Sequence, residues 1–67
     1  MSPTEWNALQ PGDDIVSVIN AREILAFRLT VKDHNNQWIV YKLNHHRQPV
    51  AAKILTRPNP EAWRKMS

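Results

Sequence analysis

The sequence predicts a mainly β fold: a curled antiparallel meander of about four strands with short helical turns at both termini. The longest periodic stretch, residues 24–43, alternates apolar and polar side chains with a period of two, as a half-buried hairpin does. Two further runs, 15–19 and 50–56, consist mostly of β-branched and small apolar residues. Because the 67 residues contain no cysteine, we expect a single small domain that gains stability from a homodimer or a bound partner.

The first predicted element is a short helix, Pro3–Leu9. Ser2 and Glu5 have the capping-box spacing, in which each side chain binds the other residue's amide, and proline suits the first helical position. Trp6 and the last helical residue are three positions apart and therefore share one side. The only glycine, Gly12, follows in a Pro-Gly-Asp turn, where we expect a positive φ.

Three strands are predicted next: Ile15–Ile19, Leu25–Lys32 and Trp38–Leu43. The last two form a hairpin with the three-residue loop His34–Asn36, in which Asn36 takes the left-handed conformation. This loop keeps the apolar rows aligned, whereas a two-residue turn would mix apolar and basic rows. It pairs Val31 with Ile39, Leu29 with Tyr41 and Phe27 with Leu43.

The segment before the hairpin has a second interpretation. Asn20 and Glu23 have the spacing of a helix cap, so that a helix could run from Ala21 to Val31. We favour the strand because the alternation is unbroken over eight residues and the second arm of the hairpin needs a partner. A helix here would remove the predicted sheet surface.

The C-terminal part is predicted to form a fourth strand at a sheet edge and a last helical turn. The strand Val50–Thr56 follows a proline, and Arg57-Pro58 ends it. Asn59 can cap a helical turn that has proline at its first position. Trp63 and Met66 are three residues apart on that turn, and we expect them to cover one end of the core.

Two short motifs resemble known families. The Pro-Gly-Asp turn at 11–13 leads into the apolar residues Ile15, Val16 and Val18 and then into the meander, and this order resembles the small SH3-like barrels. The resemblance implies a barrel. Glu5-Trp6-Asn7-Ala8 is similar to the opening helix of winged-helix excisionases, which implies an α+β winged-helix-like alternative.

Charge is distributed unevenly along the chain. The net charge is +3, with −3 in residues 1–27 and +6 in residues 28–67. A basic surface of this kind favours a polyanion or an acidic protein as partner. The alternative interpretation is that the charge only keeps the protein soluble.

The sequence carries no pattern typical of an enzyme. One glycine cannot form a phosphate-binding loop, and the serines and threonines have no base beside them. His45 and His46 diverge as adjacent residues, and His34 does not complete a zinc site. We therefore expect no catalysis, metal or cofactor. No apolar run is long enough to span a membrane and cysteine is absent, so we expect a cytoplasmic protein.

The basic side of the hairpin is the candidate site. Arg28, Lys32 and Lys42 are predicted to share a sheet face with Trp38, which offers phosphate contacts and a ring for base stacking. Alternatively, Trp38 packs under a terminal helix and the cations only line the edge. The first hypothesis is a basic accessory or regulatory protein that binds DNA or RNA through Arg28, Lys32, Trp38, Lys42, Arg47, Lys53 and Arg57.

The second hypothesis is a protein-interaction module, such as a small inhibitor or adaptor. It would dock an acidic patch or a strand edge of a larger enzyme through the edge strand Val50–Leu55. A pull-down with and without nuclease would separate the two hypotheses. The structural feature that tests the basic face is whether the surface bearing Arg28, Lys32 and Lys42 is open or is covered by Trp6 or Trp63.

Overall fold

The fold of the described residues is built on five antiparallel strands. The computed structural model describes residues 1–56 and 58–66. The strands form one open sheet in the order β4-β3-β2-β1-β5, so β4 and β5 are its edges. The mainly β prediction is confirmed. The elements in chain order are α1 (Pro3–Asn7), β1 (Asp14–Ile19), β2 (Arg22–Lys32), β3 (Trp38–Leu43), β4 (Pro49–Ile54), the 3₁₀ turn η1 (Pro60–Ala62) and β5 (Trp63–Lys65).

The capping box at α1 is confirmed. The Ser2 Oγ accepts a hydrogen bond from the Glu5 amide over 3.1 Å, and the Glu5 Oε1 accepts one from the Ser2 amide over 3.0 Å. These bonds lower the pKa of the Glu5 carboxyl, mainly through the Ser2 amide. The helix ends at Asn7, earlier than predicted. Gly12 follows with a φ of +94°, as predicted for the turn.

The region before the hairpin is extended, so the helical interpretation of residues 21–31 is wrong. Asn20 and Ala21 both have positive φ, 51° and 63°, between the paired residues Ile19 and Arg22. Two such residues form the tight turn that matches the twist of antiparallel strands. Asn20 therefore connects β1 to β2 and does not cap a helix.

The hairpin β2–β3 contains a bulge that the sequence did not predict. Val31 faces Ile39 as predicted, and Asn36 has the expected positive φ of 61°. The register then shifts at Thr30, whose hydroxyl donates to the Ile39 carbonyl over 2.6 Å. Beyond the bulge, Leu29 faces Val40 and Phe27 faces Lys42, in place of the predicted Tyr41 and Leu43. One extra residue in a strand moves every side chain beyond it to the opposite face of the sheet.

One face of the sheet carries the core, and we call it the inner face; the opposite side is the outer face. Phe27 and Trp63 are stacked at a tilt, with ring centroids 5.4 Å apart. Trp6 also packs on the core from α1. Burial of these apolar side chains is the main stabilising contribution in a domain of this size. The buried cluster consists of Leu9, Ile15, Phe27, Leu29, Trp38, Val40 and Leu55.

The C-terminus differs from the predicted helical turn. The Asn59 side chain accepts from the Glu61 amide, which confirms the cap, but the turn has only three residues. Trp63 then begins β5 and pairs with Ser17, so the predicted helical continuation to Met66 is wrong. The winged-helix-like alternative is also wrong, because the α-helix among the described residues is five residues long.

Candidate functional site

The predicted single basic face is wrong, because the bulge at Thr30 separates its members. Residues that face each other across a pair of antiparallel strands share one face of the sheet. Arg28 faces Tyr41 on the outer face, whereas Lys42 faces Phe27 on the inner face. The extra residue likewise places Lys32 on the side opposite to Arg28.

Two of the predicted cations bind an internal carboxylate. Arg28 donates from Nε and Nη2 to the two oxygens of Asp14, over 2.8 and 3.1 Å. Arg47 donates from Nη2 to Asp14 Oδ2 over 2.7 Å. Asp14 is 6% exposed. The hydrogen bond from Arg28 is the main cause that lowers the pKa of Asp14, and the same bond raises the pKa of Arg28. These arginines therefore contribute to the fold.

Three lysines, Lys32, Lys42 and Lys53, lie along the exposed margin of the inner face. The Lys32 Nζ is 5.1 Å from the centroid of the Trp38 ring, and the Lys53 Nζ is 5.9 Å from that of Phe27. Within residues 1–56 and 58–66, none of the three ammonium groups forms an ion pair with a carboxylate. Because Lys32 and Lys53 are exposed to solvent, each of these cation–ring contacts contributes only about 0.5–1 kcal/mol. The three ammonium groups are thus available to a partner.

Trp38 is not an exposed ring for base stacking. It is 5% exposed and belongs to the core, where Trp6 packs against the same cluster. This burial agrees with the interpretation that Trp38 packs under a terminal helix, since Trp6 lies on α1. Its indole Nε1 has no hydrogen-bond partner within the described part of the chain. Arg57, the last predicted site residue, lies outside the described residues.

Strand β4 is an exposed sheet edge, as the sequence predicted for this segment. All six of its residues are exposed, and β4 is the terminal strand in the sheet order. The Leu55 amide donates to the Trp38 carbonyl over 2.9 Å, so the polar backbone groups of Leu55 point toward β3. Peptide groups alternate in direction along a strand. The amides and carbonyls of Ala52 and Ile54 therefore point away from the sheet.

Apolar side chains lie next to this edge on the outer face. Val31, Ile39 and Ile54 form one row across three strands, and Tyr41 lies in the next row. Val31, Tyr41 and Ile54 are 56%, 43% and 47% exposed. The sequence predicted Ile39 and Tyr41 in the apolar row of the hairpin, which was expected to face the core. The bulge places both residues on the outer face. We call Val31, Ile39, Tyr41 and Ile54 the outer apolar strip.

The described residues show no constellation for metal chemistry or membrane crossing. No three histidine, aspartate or glutamate side chains converge on a point in residues 1–56 and 58–66. In the same residues, no helix is both long and apolar enough to cross a bilayer.

Searches of protein-family models, curated proteins and solved structures found no match to this chain. The candidate site is therefore defined by its geometry: the β4 edge, flanked by the lysines on the inner face and by the outer apolar strip.

Proposed function

We propose that this chain is a protein-interaction module that binds an extended, acidic segment of another protein along the β4 edge. The observation that carries the proposal is an exposed edge strand inside a region that lacks carboxylates. Residues 34–60 contain no aspartate or glutamate, and their Lys42 and Lys53 form no ion pair with a described carboxylate.

The free edge supplies the hydrogen bonds for such an interaction. The outward amides and carbonyls of Ala52 and Ile54 can pair with the main chain of an added strand, which is how extended peptides bind sheet edges. Lys53 and Lys42 supply a positive potential beside that edge, which attracts an acidic segment and disfavours a basic one.

Features at the start of β4 favour a different chain as the partner over a second copy. Pro49 lacks an amide donor, and the pairing with β3 is irregular at Val50. Antiparallel pairing of two β4 strands would bring the Lys53 side chains of both copies onto one surface, where like charges repel. A homodimer is therefore an alternative outcome of the binding test.

We also infer that the sheet curls into a small SH3-like barrel. Three features support this: β5 lies beside β1, a single 3₁₀ turn precedes β5, and β2 is an eleven-residue strand with a bulge. Bulges allow a long strand to bend and take part in both halves of a curled sheet.

The edge contact is tested by Ala52→Pro with Ala52→Ser as its matched control. Proline removes the outward amide of Ala52 without removing a bond to β3, and edge strands tolerate proline at such positions. Serine keeps the amide and is nearly as small as alanine. The probe is a labelled ten-residue peptide of five glutamates and five valines. Its binding is measured by fluorescence anisotropy, and circular dichroism verifies that each variant is folded.

Binding to the natural sequence and to Ala52→Ser, with at least about fivefold weaker binding to Ala52→Pro, is the expected result. Equal binding to all three folded chains would exclude the edge as the contact. If the proline variant does not fold, the natural chain is titrated instead with a probe peptide that is methylated on alternate backbone nitrogens. This methylated peptide must then bind more weakly than the unmodified peptide.

Nucleic-acid binding remains a second candidate, supported by Lys32, Lys42 and Lys53 lying on one side of the sheet. It predicts that a single-stranded oligonucleotide binds with an affinity that falls steeply as salt increases. Lys42→Ala/Lys53→Ala is the appropriate variant, because Arg28 is engaged by Asp14. No association at low salt would exclude this function.

A further inference from the structure

The two faces of the sheet differ in chemistry beside the β4 edge. We propose that they recognise alternate residues of the bound segment, with acidic side chains on the inner face and apolar side chains on the outer face. The inference rests on the proposed function and specifies the sequence pattern of the partner.

The alternation follows from the pairing of β4 with β3. Lys53 faces Val40 and therefore lies on the inner face, whereas Ala52 faces Tyr41 and Ile54 faces Ile39 on the outer face. A strand added beside β4 continues the same pleat, so its successive side chains also alternate between the faces.

On the inner face, the added side chains meet positive charge. Lys53 is on the edge strand itself, and Lys42 is on the next strand, about 5 Å further in. Lys53 extends over the Phe27 ring in the free protein, and a carboxylate can replace this weak contact with a charged one. A glutamate or aspartate fits these positions, whereas a basic side chain is repelled.

On the outer face, the added side chains meet the outer apolar strip. Ile54 lies directly on the edge, and Tyr41 lies behind Ala52 in the neighbouring row. Because the alanine side chain is small, a larger apolar side chain of the partner can pass over it and contact the Tyr41 ring. Cross-strand pairs of aromatic and β-branched residues stabilise a sheet more than pairs that involve alanine.

The partner segment should therefore alternate acidic and apolar residues. A segment with the same composition in a different order would bind less tightly. A peptide with its acidic residues in one half and its apolar residues in the other places valines near the lysines or glutamates over Ile54 in any register. A one-residue slip of an alternating peptide exchanges the two faces, so one register is favoured over its neighbours.

The test compares two ten-residue peptides with five glutamates and five valines each, one strictly alternating and one with the two types in separate halves. Both are titrated at pH 7 into the natural chain and into Lys53→Ala, Ile54→Ser and, as a control, Lys65→Ala. Lys65 is on β5, the opposite edge, so the control removes a positive charge away from the site.

The alternating peptide is expected to bind roughly tenfold more tightly than the divided one. Lys53→Ala and Ile54→Ser should each reduce that ratio, and Lys65→Ala should leave it unchanged. Equal affinity of the two peptides would overturn the alternating recognition while the proposed edge binding stands. Absence of binding by both peptides would overturn the inference and the proposed function together.

Discussion

The two halves of the sheet use their charged residues differently. Around β1 and β5 carboxylates are paired with cations, whereas strands β3 and β4 contain no carboxylate and their lysines form no ion pair among the described residues. Asp14 and its arginines are therefore tied to the fold, whereas Lys42 and Lys53 form no ion pair with a described carboxylate and can serve an interaction. The carboxylates around β1 and β5 pair as Asp14 with Arg28 and Arg47, Glu23 with Arg64, and Asp13 with Lys65, and Arg47 reaches Asp14 from the turn between β3 and β4.

The largest expected effect in the first half comes from Asp14→Asn. The substitution keeps the shape of the side chain but removes the charge that Arg28 and Arg47 bind, so it should lower the free energy of unfolding by about 1.5–3 kcal/mol. Urea denaturation measures this change. Glu61→Gln is the control, and it should change stability by less than about 0.5 kcal/mol because Glu61 is exposed. An Asp14→Asn variant as stable as the natural chain would contradict the structural role of this cluster.

The same carboxylate sets an expected pH dependence. The folded-state pKa of Asp14 is lowered, so in the unfolded chain this carboxyl takes up its proton first, near a pKa of about 3.9. Its contribution is complete above that pKa and is lost as the pH falls through the lower, folded-state pKa. The stability difference between the natural chain and Asp14→Asn should therefore shrink when denaturation is repeated at progressively lower pH. A constant difference would contradict the lowered pKa.

The smallest expected effect on stability belongs to the other half. Lys42→Ala/Lys53→Ala removes two exposed side chains without an ion pair to a described carboxylate, so the free energy of unfolding should change by less than about 1 kcal/mol per site. Binding of the alternating peptide should nevertheless weaken several-fold, as anisotropy would measure. A large loss of stability without a change in binding would contradict this assignment, because it would show that these lysines stabilise the fold and do not bind the partner.

Local chemistry allowed some elements to be predicted from the sequence. The capping box at Ser2 and Glu5 and the left-handed Asn36 depend on neighbours within a few residues, and both are present in the structure. The edge character of Val50–Leu55 also followed from its flanking prolines and weak alternation. Such features carry their own signal in the sequence.

Other features depend on distant pairing and left no local signal. Ala21 has a positive φ that alanine rarely adopts, and the pairing of the flanking strands imposes it. The bulge at Thr30 involves no glycine, yet it moves Lys32 to the side opposite to Arg28 and buries Trp38. The predicted basic face failed for this reason, since one extra residue reverses a period of two.

Amide hydrogen exchange at β4 tests the central claim most directly. In the free protein, the outward amides of Ala52 and Ile54 should exchange much faster than those of Lys53 and Leu55, which face β3. Saturation with the alternating peptide should slow Ala52 and Ile54 by at least about tenfold and leave the amides of β5 unchanged. Peptide binding that leaves the Ala52 and Ile54 amides at their free rates would contradict the proposed edge interaction.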